Sequence, residues 1–387
     1  MKLKNLFIII IIFSTKAEAQ TSALAMADSL YAVGDYSGAI QELEKVNSQS
    51  EAVLLKLAQA HKAQGNPAAA LSYYKTVLEV NPKKLLTAVA YARLLSSTGK
   101  LEQADSIFQE LVKKYPMNAN FHYQLGLVKE QRKDSTAIKH YNITVLLQKH
   151  HQQALSKVAK SELVHGKLMR AERLSKQGLE FNPANKTLLS ILAQAYYFQK
   201  EYKLAIEEFE KLVDLGAGSE FIHRRLGTAY FYLEDYDSAL EHFNKALHYG
   251  PQNHSTHYSL GKLYALKGEY KNSEVHLLEA ILLKDVLLDE EFTSLGLTYK
   301  LSKKPKQALT YFNRALDENP DNERAMFERA IAADSYYEDL ETRMNYYQAY
   351  LDRFGEYGNP QLIRLAGQRI KDIREEMHLE PATSGEQ

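Results

Sequence analysis

Apolar residues recur at helical spacing along most of the chain, in pairs of short amphipathic segments separated by polar turns. In residues 220–253, Leu226, Tyr230 and Leu233 fall on one face of a helix. The polar stretch LEDYD follows, and a second amphipathic segment then runs to Gly250. The pattern predicts two helices joined as a hairpin, which we call helix A and helix B.

The same pattern returns at a fixed interval. Tyr196, Tyr230 and Tyr264 are spaced by 34 residues, and the same interval separates Gly227 from Gly261. A period of this length is typical of helical-repeat proteins, in which each hairpin buries its apolar face against its neighbours. The chain is therefore expected to be one array of hairpins rather than several separate globular domains.

The residues that recur resemble the tetratricopeptide repeat (TPR) family, which has small and aromatic residues at fixed positions. Positions are counted here from the first residue of each repeat. The segment 220–253 departs from the family pattern at position 15, where Glu234 replaces glycine. The matching residues are Gly227, Tyr230, Tyr236, Ala239, Phe243, Ala246 and Pro251. In such a pattern the small residues let two helices approach closely, and the aromatic rings fill the space around them.

The resemblance implies an all-α fold, a right-handed α-solenoid superhelix of about ten TPR hairpins. It extends over nearly all of the chain that follows residue 19. The repeats are expected at 20–50, 51–84, 85–118, 119–151, 152–185, 186–219, 220–253, 254–287, 289–322 and 323–356.

A last helix is expected over 357–380, where it would cap the open face of the final repeat. It carries one apolar stripe with charged residues opposite. The stripe consists of Leu362, Ala366, Ile370, Ile373 and Met377. Residues 381–387 are expected to form a disordered tail.

The first residues have the organisation of a signal peptide. A basic start, MKLKN, precedes the apolar run LFIIIIIF and a small-residue cleavage pattern at Ala17-Glu18-Ala19. The apolar run is too short to span a bilayer, which needs about 20 residues. We expect 1–19 to be removed after Ala19, which would place the protein in the periplasm or outside the cell, without an integral membrane segment. An uncleaved anchor is the alternative.

Composition and charge exclude several kinds of function. Lys+Arg and Asp+Glu both number 48, which gives no indication of nucleic-acid binding, and the absence of Cys excludes thiolate chemistry. No catalytic motif is present, so neither an enzyme nor a cofactor is expected. His150–His151 and the pair His254 and His257 were considered as metal ligands. Polar surface residues are the favoured interpretation, because no third ligand follows at suitable spacing.

The resemblance also implies a concave groove lined by positions 2, 5, 6, 9 and 12 of the A helices. In repeats five to eight these positions hold five basic residues, four aromatic residues and no acid. A basic, aromatic groove suits an acidic peptide or a C-terminal carboxylate, although a solvated face without a ligand is the alternative. The candidate groove residues are Arg93, Tyr123, Lys157, Lys160, Gln194, Tyr197, Arg224, Thr228, Phe231, Tyr258 and Lys262.

Two functions are favoured, and an enzyme with a site hidden between repeats is the least favoured alternative. The first is a non-catalytic protein–protein interaction scaffold that binds a peptide or partner protein in the concave groove. The alternative is an auxiliary subunit of a cell-envelope assembly or secretion complex, which would use the convex or edge surface instead. The Ala-Glu-Ala-Gln cleavage end and the last repeat with its final helix also resemble exported TPR proteins of Bacteroidetes.

Overall fold

The computed structural model describes residues 22–46, 50–284 and 287–379, and the regular structure in these ranges is entirely helical. The predicted all-α fold is confirmed. Consecutive helices pack against each other from Tyr36 to Leu179 and from Tyr202 to Leu379, so the repeating unit is a helical hairpin. The predicted signal peptide and the predicted tail lie outside the described residues. The helices divide between two compact units, Met1–Ile191 and Leu192–Gln387.

The first unit begins with a helix at 22–32, named α1, and ends within α11. The helices that follow α1 are α2 (Tyr36–Lys45), α3 (Glu51–Gln64), α4 (Pro67–Val80), α5 (Leu85–Ser97), α6 (Leu101–Lys114), α7 (Ala119–Gln131), α8 (Ala137–Leu147), α9 (Gln152–Val164), α10 (Leu168–Leu179) and α11 (Lys186–Phe198). Side-chain caps start several of these helices, as where Asn66 accepts from the backbone N–H of Ala69 at the start of α4.

The second unit continues from α11 to the last described helix. Its helices are α12 (Tyr202–Asp214), α13 (Glu220–Tyr232), α14 (Tyr236–Tyr249), α15 (His254–Leu266), α16 (Tyr270–Leu282), α17 (Asp289–Leu301), α18 (Pro305–Glu318), α19 (Glu323–Tyr336), α20 (Leu340–Phe354) and α21 (Pro360–Leu379). The pairs α13–α14, α15–α16 and α17–α18 each form one hairpin.

Small residues and aromatic rings face each other inside each hairpin. A Cβ atom added to Gly227 would lie 2.8 Å from the ring of Phe243, and one added to Gly296 would lie 2.7 Å from the ring of Phe312. Phe243 is 1% exposed and Ala239 is fully buried beside it. The recurring positions found in the sequence are therefore packing positions, where the missing side chain of glycine makes room for a ring.

The turn between helix A and helix B requires a left-handed residue at position 15. Glycine supplies it in several repeats, for example Gly65 and Gly268, with φ of 87° and 77°. Four repeats hold the same turn with another residue: Lys133, Lys200, Glu234 and Lys303, with φ from 58° to 64°. The turn geometry is thus kept where the sequence departs from glycine, at the expense of local backbone strain.

Glycine at one of these strained turns is expected to stabilise the protein. We predict that Lys133→Gly raises the free energy of unfolding by about 0.5–1 kcal/mol, because glycine adopts a positive φ without a steric penalty. The control is Lys139→Gly in the adjoining helix α8, which should lower it, because glycine weakens a helix. Urea unfolding followed by circular dichroism measures both. A loss of stability in both variants would show that the turn is not strained.

The final helix packs along α20 as a cap. Ala366, Ile370 and Ile373 are buried, at 0%, 5% and 0% exposure, against Tyr350 and its neighbours. The predicted stripe is one turn too long, because Met377 is 40% exposed. The reason lies in the lengths: α21 has 20 residues and α20 has 15, so the end of α21 extends past the helix on which it packs.

Candidate functional site

The A helices of the second unit lie side by side. Contacts join α13 to α15, α15 to α17, and α17 to α19, in addition to the contacts within each hairpin. Side chains that leave these four helices on the same side therefore share one surface, which we call the A-helix surface. It contains positions 2, 5, 6, 9 and 12 of the repeats, the positions that the sequence assigned to the groove.

Two cavities adjoin on the A-helix surface. The larger, of about 630 Å³, lies between α15, α17 and α19 and has Leu297 and Arg324 among its lining residues. The smaller, of about 100 Å³, lies between α13 and α15. Tyr258 and Lys262 line both cavities, so these two residues form the wall that the cavities share.

The smaller cavity gathers four of the predicted groove residues: Thr228, Phe231, Tyr258 and Lys262. The ammonium of Lys262 lies 5.3 Å from the centroid of the Tyr258 ring, within the range of a cation–π contact. Ser294 donates a hydrogen bond to the hydroxyl of Tyr258 at 3.2 Å, and burial raises the pKa of Tyr258. The ring of Tyr258 is thus held in place from α17 and stays neutral at physiological pH.

The larger cavity carries charges of both signs. Lys300 and Glu328 form an ion pair across it, and Asp289 accepts hydrogen bonds from the side chains of Asn319 and Asn322, both at 2.9 Å. Lys262, Arg324 and Glu290 also line it, outside those pairs. The basic, acid-free groove predicted from repeats five to eight therefore does not continue into repeats nine and ten, where acids join the surface.

Several predicted groove residues are already in contact with neighbouring side chains. Arg224 forms an ion pair with Glu220 at 2.7 Å, one turn earlier on α13. The ring of Tyr197 packs under the guanidinium of Arg225, 4.6 Å from its centroid. Gln194 is half-buried on the same helix as Tyr197. Arg224 and Tyr197 therefore already have partners among neighbouring side chains.

The remaining predicted residues belong to the first unit. Arg93 is exposed on α5, and Tyr123 packs on His151 with 4.5 Å between ring centroids. Lys157 pairs with Glu130 at 2.7 Å, while Lys160 is exposed and contributes a weaker Coulombic attraction to the same carboxylate. Burial raises the pKa of Glu130, but hydrogen bonds from Lys157 and Tyr141 outweigh burial and hold that pKa below its usual value.

Family comparisons decide what these hairpins are. Tetratricopeptide repeat models match residues 24–78, 61–125, 158–220 and 292–322, and a TPR repeat model matches residues 227–268. The chain contains tetratricopeptide repeats. No curated protein sequence matches the chain.

Solved structures of TPR proteins resemble the chain at low identity. YrrB, described as a TPR protein with an unusual peptide-binding site, is 21% identical, with a TM-score of 0.45 over 48% of this chain and 95% of its own. A TPR protein from Parabacteroides merdae is 16% identical, with a TM-score of 0.43 over 65% and 99%. PilW, a type IV pilus biogenesis factor, is 16% identical, with a TM-score of 0.47 over 55% and 97%.

The TPR register also accounts for the surface residues that sequence reasoning missed. Glu130 occupies position 12 of repeat four, the groove position that faces Lys157 of the next repeat. Glu290 occupies position 2 of repeat nine, and Arg324 and Glu328 occupy positions 2 and 6 of repeat ten. Extending the same register beyond repeats five to eight would have found all four. How each of these residues changes the charge of the surface depends on the side chain that it contacts, and only the structure shows those contacts.

Two other kinds of site were sought in the described parts of this TPR chain. Within residues 22–46, 50–284 and 287–379, His, Asp and Glu form no group of three or more that could hold a metal ion. In the same ranges, no helix combines the length and the apolar character that crossing a membrane requires. The two cavities on the A-helix surface are the candidate functional site because they gather four of the predicted groove residues.

Proposed function

We propose that this TPR chain is a non-catalytic interaction scaffold that holds a segment of a partner protein on the A-helix surface. The observation that carries the proposal is the pair of adjoining cavities with Tyr258 and Lys262 as their common wall. Together they offer apolar walls, hydroxyls and cations in a space large enough for side chains of an extended peptide.

The chemistry of the cavities supports binding rather than catalysis. Three ionisable groups that line the larger cavity already have partners: Lys300 pairs with Glu328, and Asp289 accepts from two asparagine amides. Side chains that are already engaged in such contacts are less available to act on a substrate than free ones. We propose an acidic side chain or a C-terminal carboxylate of the partner opposite Lys262 and Arg324, the two cations outside those pairs.

The alternative function uses the outer surface of the B helices, and one observation favours it. Val275, Leu278 and Leu282 are 57%, 37% and 77% exposed and lie on one face of α16. Exposed apolar residues in a row are unusual for a monomer and suit a subunit of a cell-envelope assembly. The experiment below separates the two surfaces.

A photo-crosslinking side chain distinguishes the two surfaces directly. One variant carries it at Leu301, which lines the larger cavity and is 49% exposed; the other carries it at Val275 on α16. We expect irradiation of the mature protein in its own envelope fraction to yield one partner adduct from the Leu301 variant, identified by mass spectrometry. Adducts formed at Val275 alone would favour the alternative function.

The identified partner then permits an affinity measurement with a matched pair of variants. Lys262→Glu places an acid in the common wall, and Lys271→Glu makes the same change on the exposed side of α16 in the same hairpin. We predict that Lys262→Glu raises the Kd about tenfold, equivalent to about 1.4 kcal/mol, while Lys271→Glu leaves it within twofold. Equal effects, or no effect of Lys262→Glu, in calorimetric titrations would contradict binding at the cavities.

We also propose that the protein is exported, in the manner of envelope TPR proteins of Bacteroidetes. The support is the basic start, the apolar run and the Ala17-Glu18-Ala19 pattern of the sequence. The intact mass of the protein recovered from the envelope fraction tests it. The expected mature chain starts at Gln20, and a mass that retains residues 1–19 would contradict cleavage.

A further inference from the structure

Three hairpins contain a pair of histidines whose Nδ1 atoms face each other. One histidine lies at position 4 of helix A and the other at the facing position of helix B. The pairs are His122–His140 at 3.2 Å, His223–His242 at 3.1 Å and His257–His276 at 3.0 Å. In each pair the helix A ring is buried, so the contact lies in the packed space between the two helices.

The other ring nitrogen of the helix A histidine shows where the protons lie. His257 Nε2 is 3.0 Å from the carbonyl oxygen of Pro251, and a carbonyl can only accept, so Nε2 carries the proton. His257 Nδ1 is then the acceptor in the neutral ring, and His276 Nδ1 donates to it. His122 is arranged in the same way, with Nε2 2.9 Å from the carbonyl oxygen of Pro116.

This arrangement limits the number of protons that a pair can hold. A first additional proton can enter at Nε2 of His276, which leaves the hydrogen bond between the two Nδ1 atoms in place. A second must enter at Nδ1 of His257, where it meets the N–H of His276 at hydrogen-bond distance. Two donors and two positive charges then face each other inside the hairpin.

We propose that these histidine pairs make three hairpins acid-sensitive, each pair joining helix A to helix B while it holds at most one additional proton and separating the helices once it holds two. The consequence is a loss of stability on acidification that arises in hairpins α7–α8, α13–α14 and α15–α16. Hairpin α17–α18 lacks such a pair, because Phe292 and Tyr311 occupy the corresponding positions.

The surroundings identify the pair with the fewest competing charges. Around His257–His276 the facing groups are Tyr264, stacked on His276 at 5.4 Å, and Glu279, whose charge opposes the effect of burial. Burial, followed by the neighbouring His257, lowers the pKa of His276. This pair therefore shows the effect of protonation most directly.

The other two pairs have more charged neighbours. Around His223–His242 the facing groups are Glu210, 3.2 Å from His242 Nε2, with Glu241, Lys245, Tyr230 and Tyr249. Around His122–His140 they are Lys129, Asp105 and Asp134. Burial lowers the pKa of His140, His223 and His242 as well.

The direction of the pH effect follows from proton counting. In the unfolded chain both rings of a pair titrate near their ordinary value of about 6.5. The folded pair takes up fewer protons, so the stabilising contribution is fully present above pH 6.5 and decreases as the pH falls below it.

The chain itself supplies a matched control that does not titrate in this range. In hairpin α17–α18, Tyr311 stacks on Tyr299 with 5.3 Å between centroids and 8° between planes. His276 stacks on Tyr264 with 5.4 Å and 10°. The double variant His257→Phe and His276→Tyr therefore transfers a pair of rings that already fits this position in another repeat.

The test compares unfolding of the full mature protein and the double variant in urea at pH 7.5 and pH 5.0. Between these values we expect the unfolding equilibrium constant of the natural protein to rise at least about 30-fold more than that of the variant. Exclusion of one proton at a pH about 1.5 units below its ordinary pKa gives this factor, and the lowered pKa of His276 adds to it. The same pH dependence in both proteins would overturn the proposal.

A second measurement uses only the natural protein, so its outcome does not depend on whether a variant folds. Carbon-13 labelling of the histidine rings allows NMR to follow the protonation of each ring in the natural protein. We expect the His257–His276 pair to reach the doubly protonated state only where the signals of α15 and α16 change from their folded positions. Two charged rings in an unchanged hairpin would overturn the proposal.

Discussion

Replacing Phe243 with alanine is expected to lower the free energy of unfolding by about 3–5 kcal/mol. The ring is 1% exposed and lies against Gly227, where the backbone of helix A comes closest to helix B. Alanine would leave a cavity that the hairpin cannot close, because the glycine has no side chain to move into it. Urea unfolding followed by circular dichroism measures the loss.

Phe231→Ala is the matched control for this prediction. It removes the same ring from the same hairpin, and both rings line the smaller cavity, but Phe231 is only partly buried whereas Phe243 is 1% exposed. The expected loss is about 1–2 kcal/mol, less than half of that at Phe243, because less apolar surface returns to water. Equal losses at the two positions would contradict the interpretation that Phe243 is a packing residue and Phe231 a surface residue.

The second large effect is expected at a buried carboxylate. Glu291 is 1% exposed, and its oxygens accept from the ammonium of Lys284 at 2.8 and 2.9 Å and lie 2.7 Å from His254 Nε2. Lys284→Met leaves this carboxylate with the histidine as its remaining partner. We predict a loss of about 2–3 kcal/mol in the free energy of unfolding at pH 7.5. Urea unfolding provides the measurement.

A double variant shows whether the unpaired charge is the cause. Lys284→Met combined with Glu291→Leu removes both charges and keeps the volume, and it should recover at least half of the loss. Such recovery is expected because the desolvation of a carboxylate, rather than the loss of a contact, dominates the penalty. If the double variant is as unstable as the single one, packing of the lysine stem would be the cause instead.

The positions of the helices could be predicted from the sequence because similar packing recurs in most hairpins. Tyr230, Gly227 and Phe243 have counterparts about 34 residues apart along the chain, and the contact of Gly227 with Phe243 recurs between Gly296 and Phe312. Local packing of this kind leaves a periodic signal. It also explains why Glu234 did not prevent the turn, since the hairpin as a whole holds that residue at a φ of 62°.

The candidate site could be predicted only in part, because charges of the larger cavity pair between repeats. Lys300 of repeat nine meets Glu328 of repeat ten, and in the first unit Lys157 likewise meets Glu130 of the preceding repeat. Each such pair occurs between two particular repeats, so it produces no periodic signal and each residue alone looks like an unpaired charge. The repeat register alone therefore does not show which cations are already paired.

The wall formed by Tyr258 and Lys262 has a consequence for ligand selection. Neighbouring helices pack about 8–10 Å apart, a distance that an extended peptide covers in about three residues. Two side chains of a ligand at that spacing would contact the Tyr258 ring from opposite sides. A group large enough to displace the ring from its hydrogen bond with Ser294 in one cavity would therefore narrow the other. In a peptide library the preferences at these two ligand positions should therefore depend on each other, and recognition should follow pairs of residues rather than single ones.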